Sequence, residues 1–352
     1  MKILLITDQH FGVRGDSQVF LEYQRRFYED VVFPTIDEHD IKTVIDLGDT
    51  FDRRKFVNYY TLKAANQMWF TPLKERGIDL HILIGNHTTF YKDTNEVNSP
   101  DLLLSGHHVY SEATDIELDG IKFLMIPWIN SANHSKTVRA IKRTKAQLVF
   151  AHLELQGFEV STGIKLDHGM TLKHFEKFDM VMTGHFHHKS HRENVYYLGA
   201  PHENTWIDYE DPKGFHLFDT GTRVTEFIRN PYTMFNKLWY NDEGRELENI
   251  LNFNAEKYVG TYVKVILTKC TNPYFLDLFL EKLQKADVQN IQIVEDHLNS
   301  HLDDDELVNE AEDTLTILSK YIDGLEIDVD KRRLDSLMKS LYHEAMTLEL
   351  EA

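Results

Sequence analysis

At 352 residues, 42% of them hydrophobic, the chain has material for a large core and for two or three domains. Its net charge of −19 excludes general coating of nucleic acid, whose phosphates attract Lys and Arg, and leaves local phosphate binding open. The single cysteine, Cys270, excludes an internal disulfide and any cysteine-built zinc site, and is expected as a small core residue. The acid excess is concentrated: residues 295–352 hold 17 Asp and Glu against 5 Lys and Arg. No apolar run approaches the ~20 residues needed to span a bilayer. Met1 leads directly into a strand rather than into a basic leader, so a soluble, unexported, cytoplasmic protein without membrane contact is expected.

In chain order, residues 1–229 alternate strand runs with amphipathic stretches, the pattern of an α/β sheet with covering helices. Met1 to Ile6 reads as a buried strand. Phe20 to His39 reads as a helix that Pro34 kinks or shortens, and Asn58 to Arg76 as a second helix stopped by Gly77. Lys42 to Gly48, Leu80 to Gly85, Gln147 to Ala151 and Met180 to Gly184 read as further buried strands. Ile116 to Ile126 is a hairpin about Asp119-Gly120, a favoured two-residue turn. Ser135 to Lys145 is a basic helix, and 195–198, 214–218 and 224–228 are strands that suggest a second sheet. Asn230-Pro231 marks a boundary. Beyond it a small α/β cap is expected (strand 261–267, helix 275–285, strand 290–294). Two helices then flank Asp323-Gly324, with apolar stripes at Leu307, Ala311, Leu315, Leu318 and Ile322, and at Leu334, Leu337, Leu341, Ala345 and Leu348.

Five of the strand runs end in metal-capable side chains. They close on Asp8 and His10, on Asp49, on Asn86-His87, on His152, and on His185 and His187. Side chains two apart share one face of a strand, so Asp8 and His10 are expected to converge on one ion. Ligands of open α/β sheets sit outside the carboxyl ends of the strands, where these five loops meet. The other histidines (His81, His107, His108, His134, His168 and His174) carry no such pattern and read as structural, while His188 and His191 read as surface residues. Arg53-Arg54-Lys55 reads equally as a solvated loop or as a guide for phosphate.

The set Asp8-x-His10, Gly48-Asp49, Gly85-Asn86-His87, Ala151-His152 and Gly184-His185-x-His187 resembles the calcineurin-like metallophosphoesterase superfamily. Gly48-Asp-Thr-Phe-Asp52, Leu198-Gly-Ala-Pro201 and Lys213-Gly214-Phe215 make it similar to the SbcD-type nuclease subunits of DNA recombination and repair complexes, phage-encoded ones in particular. The resemblance implies a two-sheet α/β sandwich flanked by helices, with a nuclease domain at 1–229, a capping, DNA-binding domain at 230–299 and an ATPase-partner-binding helix-loop-helix segment at 300–352. It implies a hydrolase with 3′-to-5′ exonuclease and single-strand endonuclease activity, working in the cytoplasm (the host's, if phage-encoded). Asp8, His10 and His187 would hold one divalent metal, Asn86, His152 and His185 another, and Asp49 would bridge them. Manganese is expected, with Mg2+ or Fe2+ as substitutes. His87 would act at the scissile phosphate. Partners implied are DNA, a second copy of the chain through 58–70 and 98–104, and an SMC-like coiled-coil ATPase of the SbcC type at the C-terminal helices. One departure stands out: Thr88 occupies the place of the usual acid after Asn-His, and Asp52 is expected to orient His87 instead. The competing readings are a phosphoesterase for small or protein substrates and a scaffold that has lost catalysis.

Overall fold

The structure is a computed structural model that describes residues 1–161, 164–166, 168–295, 322 and 330–348. The chain separates into two compact units, Met1–Tyr232 and Thr233–Ala352. The first is a sandwich of two six-stranded sheets. One has the order β14-β13-β1-β2-β3-β4, with β1 (Lys2–Ile6), β2 (Thr43–Asp46), β3 (Asp79–Leu83), β4 (His108–Tyr110), β13 (Gly214–Asp219) and β14 (Thr225–Arg229). The other has the order β11-β12-β10-β7-β6-β5, with β5 (Thr114–Leu118), β6 (Ile121–Ile126), β7 (Leu148–His152), β10 (Met180–Gly184), β11 (Ser190–Arg192) and β12 (Val195–Tyr197). A mixed α/β fold with two sheets is therefore what the sequence patterns encode. Strands β1 to β4 run parallel, as do β6, β7, β10 and β12.

The central strands are buried on both faces, which is why they read as unbroken apolar runs. Between the sheets lie Ile3, Leu5, Ile45, Leu47, Phe123, Phe150, Met182 and Phe218. The outer face of the first sheet, with Leu4, Val44, Leu80 and Ile82, packs on Phe27, Tyr28 and Trp69 of its two long helices. The hairpin forms as expected: Asp119 and Gly120 both take positive φ (53° and 74°), the pair a type I′ turn requires.

Three expectations are refined or corrected. First, the helix expected over 20–39 forms, and the disturbance at Pro34 takes the shape of a widened turn rather than a break. Gln18–Phe27 continues through a π turn, Tyr28–Val32, into Phe33–Glu38. The second helix repeats the device with Tyr59–Ala65, a π turn at Asn66–Phe70, and Pro72 within Thr71–Glu75. Proline lacks an N–H and collides with the carbonyl four residues back, and widening the preceding turn relieves both problems without stopping the helix. Second, the strands at 195–198, 214–218 and 224–228 do not share a sheet. Val195–Tyr197 joins the second, whereas β13 returns antiparallel to β1 (Leu4 opposite Leu217) and carries β14 with it. Third, Cys270 is exposed, just past the end of the strand Tyr262–Lys269.

In the second unit, β15 (Phe235–Asn241), β16 (Tyr262–Lys269) and β17 (Asn290–Glu295) form a parallel three-stranded sheet. Helix Pro273–Lys285 packs on it through Phe279 and Leu283. Strand β15 was not read from the sequence. Of the two C-terminal stripes, the first lies outside the described residues apart from Ile322. The second is a helix, Lys331–Leu348, with Leu337 and Leu341 exposed. No helix among the described residues is long and apolar enough to cross a membrane.

Phe150 stacks on Phe123 at 4.8 Å and meets Phe218 edge-on at 6.2 Å, with no exposure. Phe150→Ala should cost about 3–5 kcal/mol in urea unfolding, the range for deleting a buried aromatic side chain. A loss near zero would contradict a close-packed interface between the sheets.

Candidate metal centre

All the singled-out side chains come together where β1, β2, β3, β7 and β10 end, so both sheets contribute. Backbone hydrogen bonds lace the loops: Asp8 N–H donates to the Gly48 carbonyl (2.9 Å) and His10 N–H to that of Asp49 (3.0 Å). Asp8 and His10 do converge, but not by strand alternation. The strand stops at Ile6, and both residues take left-handed backbone angles (φ 51° and 46°), as do Asp49 (53°) and His185 (93°). Such conformations cost of order 1–3 kcal/mol each and persist where surrounding structure enforces them. Two glycines permit the approach. A Cβ on Gly85 would fall on the Asp49 carboxylate, and one on Gly184 on the Thr7 hydroxyl and beside Asp8.

Two groups of ligand atoms result. In the first, Asp8, His10 and His187 cluster, with His10 Nε2 facing His187 Nε2 at 3.0 Å. In the second, Asp49, His152 and His185 cluster. Asn86 Oδ1 lies 3.1 Å from His152 Nε2 and 2.9 Å from His185 Nδ1, and Asp49 Oδ2 lies 3.3 Å from His152 Nε2. Asp49, Asp8 and His152 are almost without exposure.

The donor chemistry fits cations. His152 Nδ1 is 2.8 Å from the Leu47 carbonyl, which can only accept, so the ring commits its N–H there and turns the Nε2 lone pair toward the oxygens of Asn86 and Asp49. Electron-pair donors facing one another inside a protein need positive charge between them. Electrostatics agree. Burial opposes charge on His10, yet contact with Asp52 and the charges of Asp52, Asp49 and Asp8 hold it up at about 9. Burial and the neighbouring His10 push His187 down to about 4. Asp49 stays well below the usual carboxylate range: burial works against its charge, and His152, His87 and His10 outweigh burial.

His87 stands outside these two groups, although it forms a further metal-capable group with His10 and Asp52. Its ring reaches the neighbouring loop, where Nδ1 lies 2.7 Å from the backbone carbonyl of Asp52, leaving Nε2 available. The contact uses the Asp52 main chain. The Asp52 carboxylate instead lies 3.1 Å from His10 Nδ1. Thr88 does not touch His87 by any hydrogen bond. Its buried hydroxyl accepts from Gly85 N–H (3.1 Å) and donates to the Gly85 carbonyl (3.0 Å), closing the turn that presents Asn86 and His87. Of the basic triplet, Arg53 lies 3.7 Å from Asp16 and over the Phe56 ring.

Several supporting residues were not singled out from the sequence for the roles they take. Glu154 stands 3.6 Å from His185 Nε2, aiming Nδ1 of that ring inward. Buried Lys213 donates to the His187 carbonyl (2.8 Å) while paired with Asp208 and Asp211 (2.7 Å each). Asp46 accepts from Gln9 (2.8 Å), Thr50 (2.7 Å) and Gly48 N–H (3.0 Å), fixing the β2 loop. Trp128 lies against His185, ring centroids 5.0 Å apart.

Comparison with known proteins gives one family match: residues 1–189 fit the calcineurin-like phosphoesterase family. Across 353 aligned residues the chain is 32% identical to exonuclease subunit 1 of Enterobacteria phage T4, covering 98% of this chain and 99% of that one. Among solved structures it is similar to an archaeal phosphodiesterase (14% identity, TM-score 0.33, 65% of this chain and 100% of that one). It is also similar to a dimetal phosphatase from Danio rerio (15% identity, TM-score 0.37, 62% and 91%).

The Asp208–Lys213 pair gives a pH prediction. Burial raises the Asp208 pKa, but the charge of Lys213 prevails and brings it to about 2, below its ordinary 3.8. A depressed carboxylate stabilises the fold above its unfolded pKa and loses that stabilisation as pH falls toward the folded one. The contribution is on the order of 2 kcal/mol at pH 7, roughly half of it gone by pH 3. Asp208→Asn should be destabilised relative to the parent at pH 7, with the gap narrowing between pH 4 and 3. A gap independent of pH in denaturant titrations would contradict the assignment.

Proposed function

The chain belongs to the calcineurin-like phosphoesterase family, and on that premise we propose that it is a two-metal phosphodiesterase acting on DNA, the nuclease subunit of an ATPase–nuclease complex. The observation that carries the chemistry is the convergence of seven metal-capable side chains, Asp8, His10, Asp49, Asn86, His152, His185 and His187, with His87 beside them. The near-complete alignment with a phage exonuclease subunit supports DNA as substrate and a second kind of subunit as partner. The resemblance to SbcD-type subunits favours 3′-to-5′ exonuclease and single-strand endonuclease activity.

Asp8, His10 and His187 would hold one ion, Asn86, His152 and His185 the second, with Asp49 between them. The mixed imidazole, carboxylate and amide set suits Mn2+, with Fe2+ or Mg2+ as substitutes. When bound, the pair supplies Lewis acidity toward the phosphodiester and makes water a better nucleophile. The chain's own residues do the rest. His87 Nε2 takes a proton as the anionic phosphodiester approaches, opposing the burial that lowers its pKa. With Nδ1 held by the Asp52 carbonyl, it then donates to the departing sugar oxygen. The Asp52 carboxylate orients His10 instead, so the loop serves a ligand and the proton donor together.

The apolar side chains left exposed also support the partner reading. Tyr59 (90% exposed) with Phe56 and Tyr60, and Leu102 (72%) with Leu103, lie in or next to the segments expected to pair two copies of the chain. Leu337 and Leu341 lie one turn apart on helix Lys331–Leu348, suiting the groove of a coiled-coil ATPase. No G-x-x-x-x-G-K-[ST] occurs in the sequence, so ATP hydrolysis belongs to the partner.

His87→Gln should lower kcat on a defined DNA end by about 10²–10⁴-fold while two Mn2+ still bind by calorimetry; loss of a metal would reassign His87 as a ligand. Asp52→Asn keeps the main-chain contact to His87. It should weaken Mn2+ affinity about 10–100-fold and leave kcat near the parent's at saturating metal. A kcat defect that persists at saturation would return the orienting role to the carboxylate. Leu337→Glu with Leu341→Glu should abolish co-purification with the ATPase subunit and spare hydrolysis of bis-p-nitrophenyl phosphate. Complex retained by the double variant would sink the docking assignment.

A further inference from the structure

At the opposite end of β3 from Asn86 and His87, a second group of metal-capable side chains gathers: Asp79, His81 and His108. The sheet itself places them. Asp79 and His81 are two apart on β3 and share a face. His108 is the register partner of His81 on the parallel edge strand β4. The two imidazoles stack with centroids 4.6 Å apart and planes 18° from parallel. Their Nε2 atoms therefore project side by side, each onto one oxygen of the same carboxylate: His81 Nε2 at 3.2 Å from Asp79 Oδ2, His108 Nε2 at 3.1 Å from Asp79 Oδ1.

We infer that Asp79, His81 and His108 form a third divalent-cation site that ties the edge strand β4 to β3. Bonds of about 2.0–2.1 Å in a tetrahedron put neighbouring ligand atoms about 3.3 Å apart. The two carboxylate-to-imidazole distances lie close to that edge, and so do the 3.0 and 3.3 Å separations within the strand-end centre. The surroundings meet the other requirements of a site. Tyr110 OH holds His81 Nδ1 at 2.7 Å, orienting the ring through its far nitrogen. His81 is buried, so its ring is held in one place beside the more open Asp79 and His108. Asp79 and His108 are more than half exposed, giving an ion a path in and room for water as the fourth ligand. Two imidazoles and one carboxylate are ligands that Zn2+ accepts, which makes zinc a suitable probe for the site.

The full-length protein, its Asp79→Asn variant and its His108→Ala variant would be dialysed against zinc chloride and their bound metal counted. Both positions are exposed, and Mn2+-dependent hydrolysis of bis-p-nitrophenyl phosphate, expected to be unchanged in each, checks that the fold and the strand-end centre survive. The parent should bind one zinc equivalent more than either variant. Equal zinc content in all three proteins would overturn the assignment and leave the cluster as a carboxylate hydrogen-bonded by two imidazoles.

Discussion

A carboxylate withdrawn from water must be met by positive charge, and Asp49 sits at 1% exposure with Asp8, at 0%, on a neighbouring loop. The acids are surrounded by the ring nitrogens of His10, His87 and His152, and these electron pairs are compatible at such distances only with protons or cations among them. The rest of the first unit is arranged to hold that cluster together. Left-handed angles at Asp8, His10, Asp49 and His185 aim the side chains inward, and the bare backbones of Gly85 and Gly184 let the loops touch. The two sheets, interdigitated through Phe123, Phe150 and Phe218, supply the rigidity that keeps strained loops in place.

Around this centre the protein spends buried polar groups freely. Asp46, Gln9 and Thr50 anchor the β2 loop, Lys213 with Asp208 and Asp211 grips the His187 carbonyl, and the Leu47 carbonyl fixes the His152 tautomer. Each group is satisfied by a partner, so burial costs little net energy and orients the ring it touches. Thr88 belongs with these groups. Where related sites carry an acid, this chain closes the turn through a hydroxyl and leaves His87 to the main chain of the Asp52 loop.

Much of this was legible in the sequence because it depends on local chemistry. Strands buried on both faces announce themselves as apolar runs, Asp119-Gly120 specifies its turn, and a strand that stops at Asp, Asn or His marks a loop with ligands. What was misread depends on partners distant in the chain. Nothing within 214–228 says that its strands return to β1, since the choice is made by the free edge of another strand. The effect of Pro34 turned on a π turn that no residue pattern foretells. Asp8 and His10 come together through the loop's left-handed backbone angles, not through the strand alternation expected from their spacing. Glu154 and Asp208 escaped because isolated polar residues acquire roles only through the partners the fold brings to them, and Lys213, though part of a quoted motif, showed nothing of its grip on the His187 carbonyl. The net charge of −19 says little about the first unit, as most of its excess lies in residues 295–352.

The central claim is that the loops beyond five strands enclose two cations. Anomalous diffraction at the manganese edge, from crystals grown in MnCl2, tests it directly. The account predicts two peaks about 3.5–4 Å apart, one among Asp8, His10 and His187, the other among Asn86, His152 and His185, with Asp49 between. A single peak, or none at the ends of these strands, would contradict it.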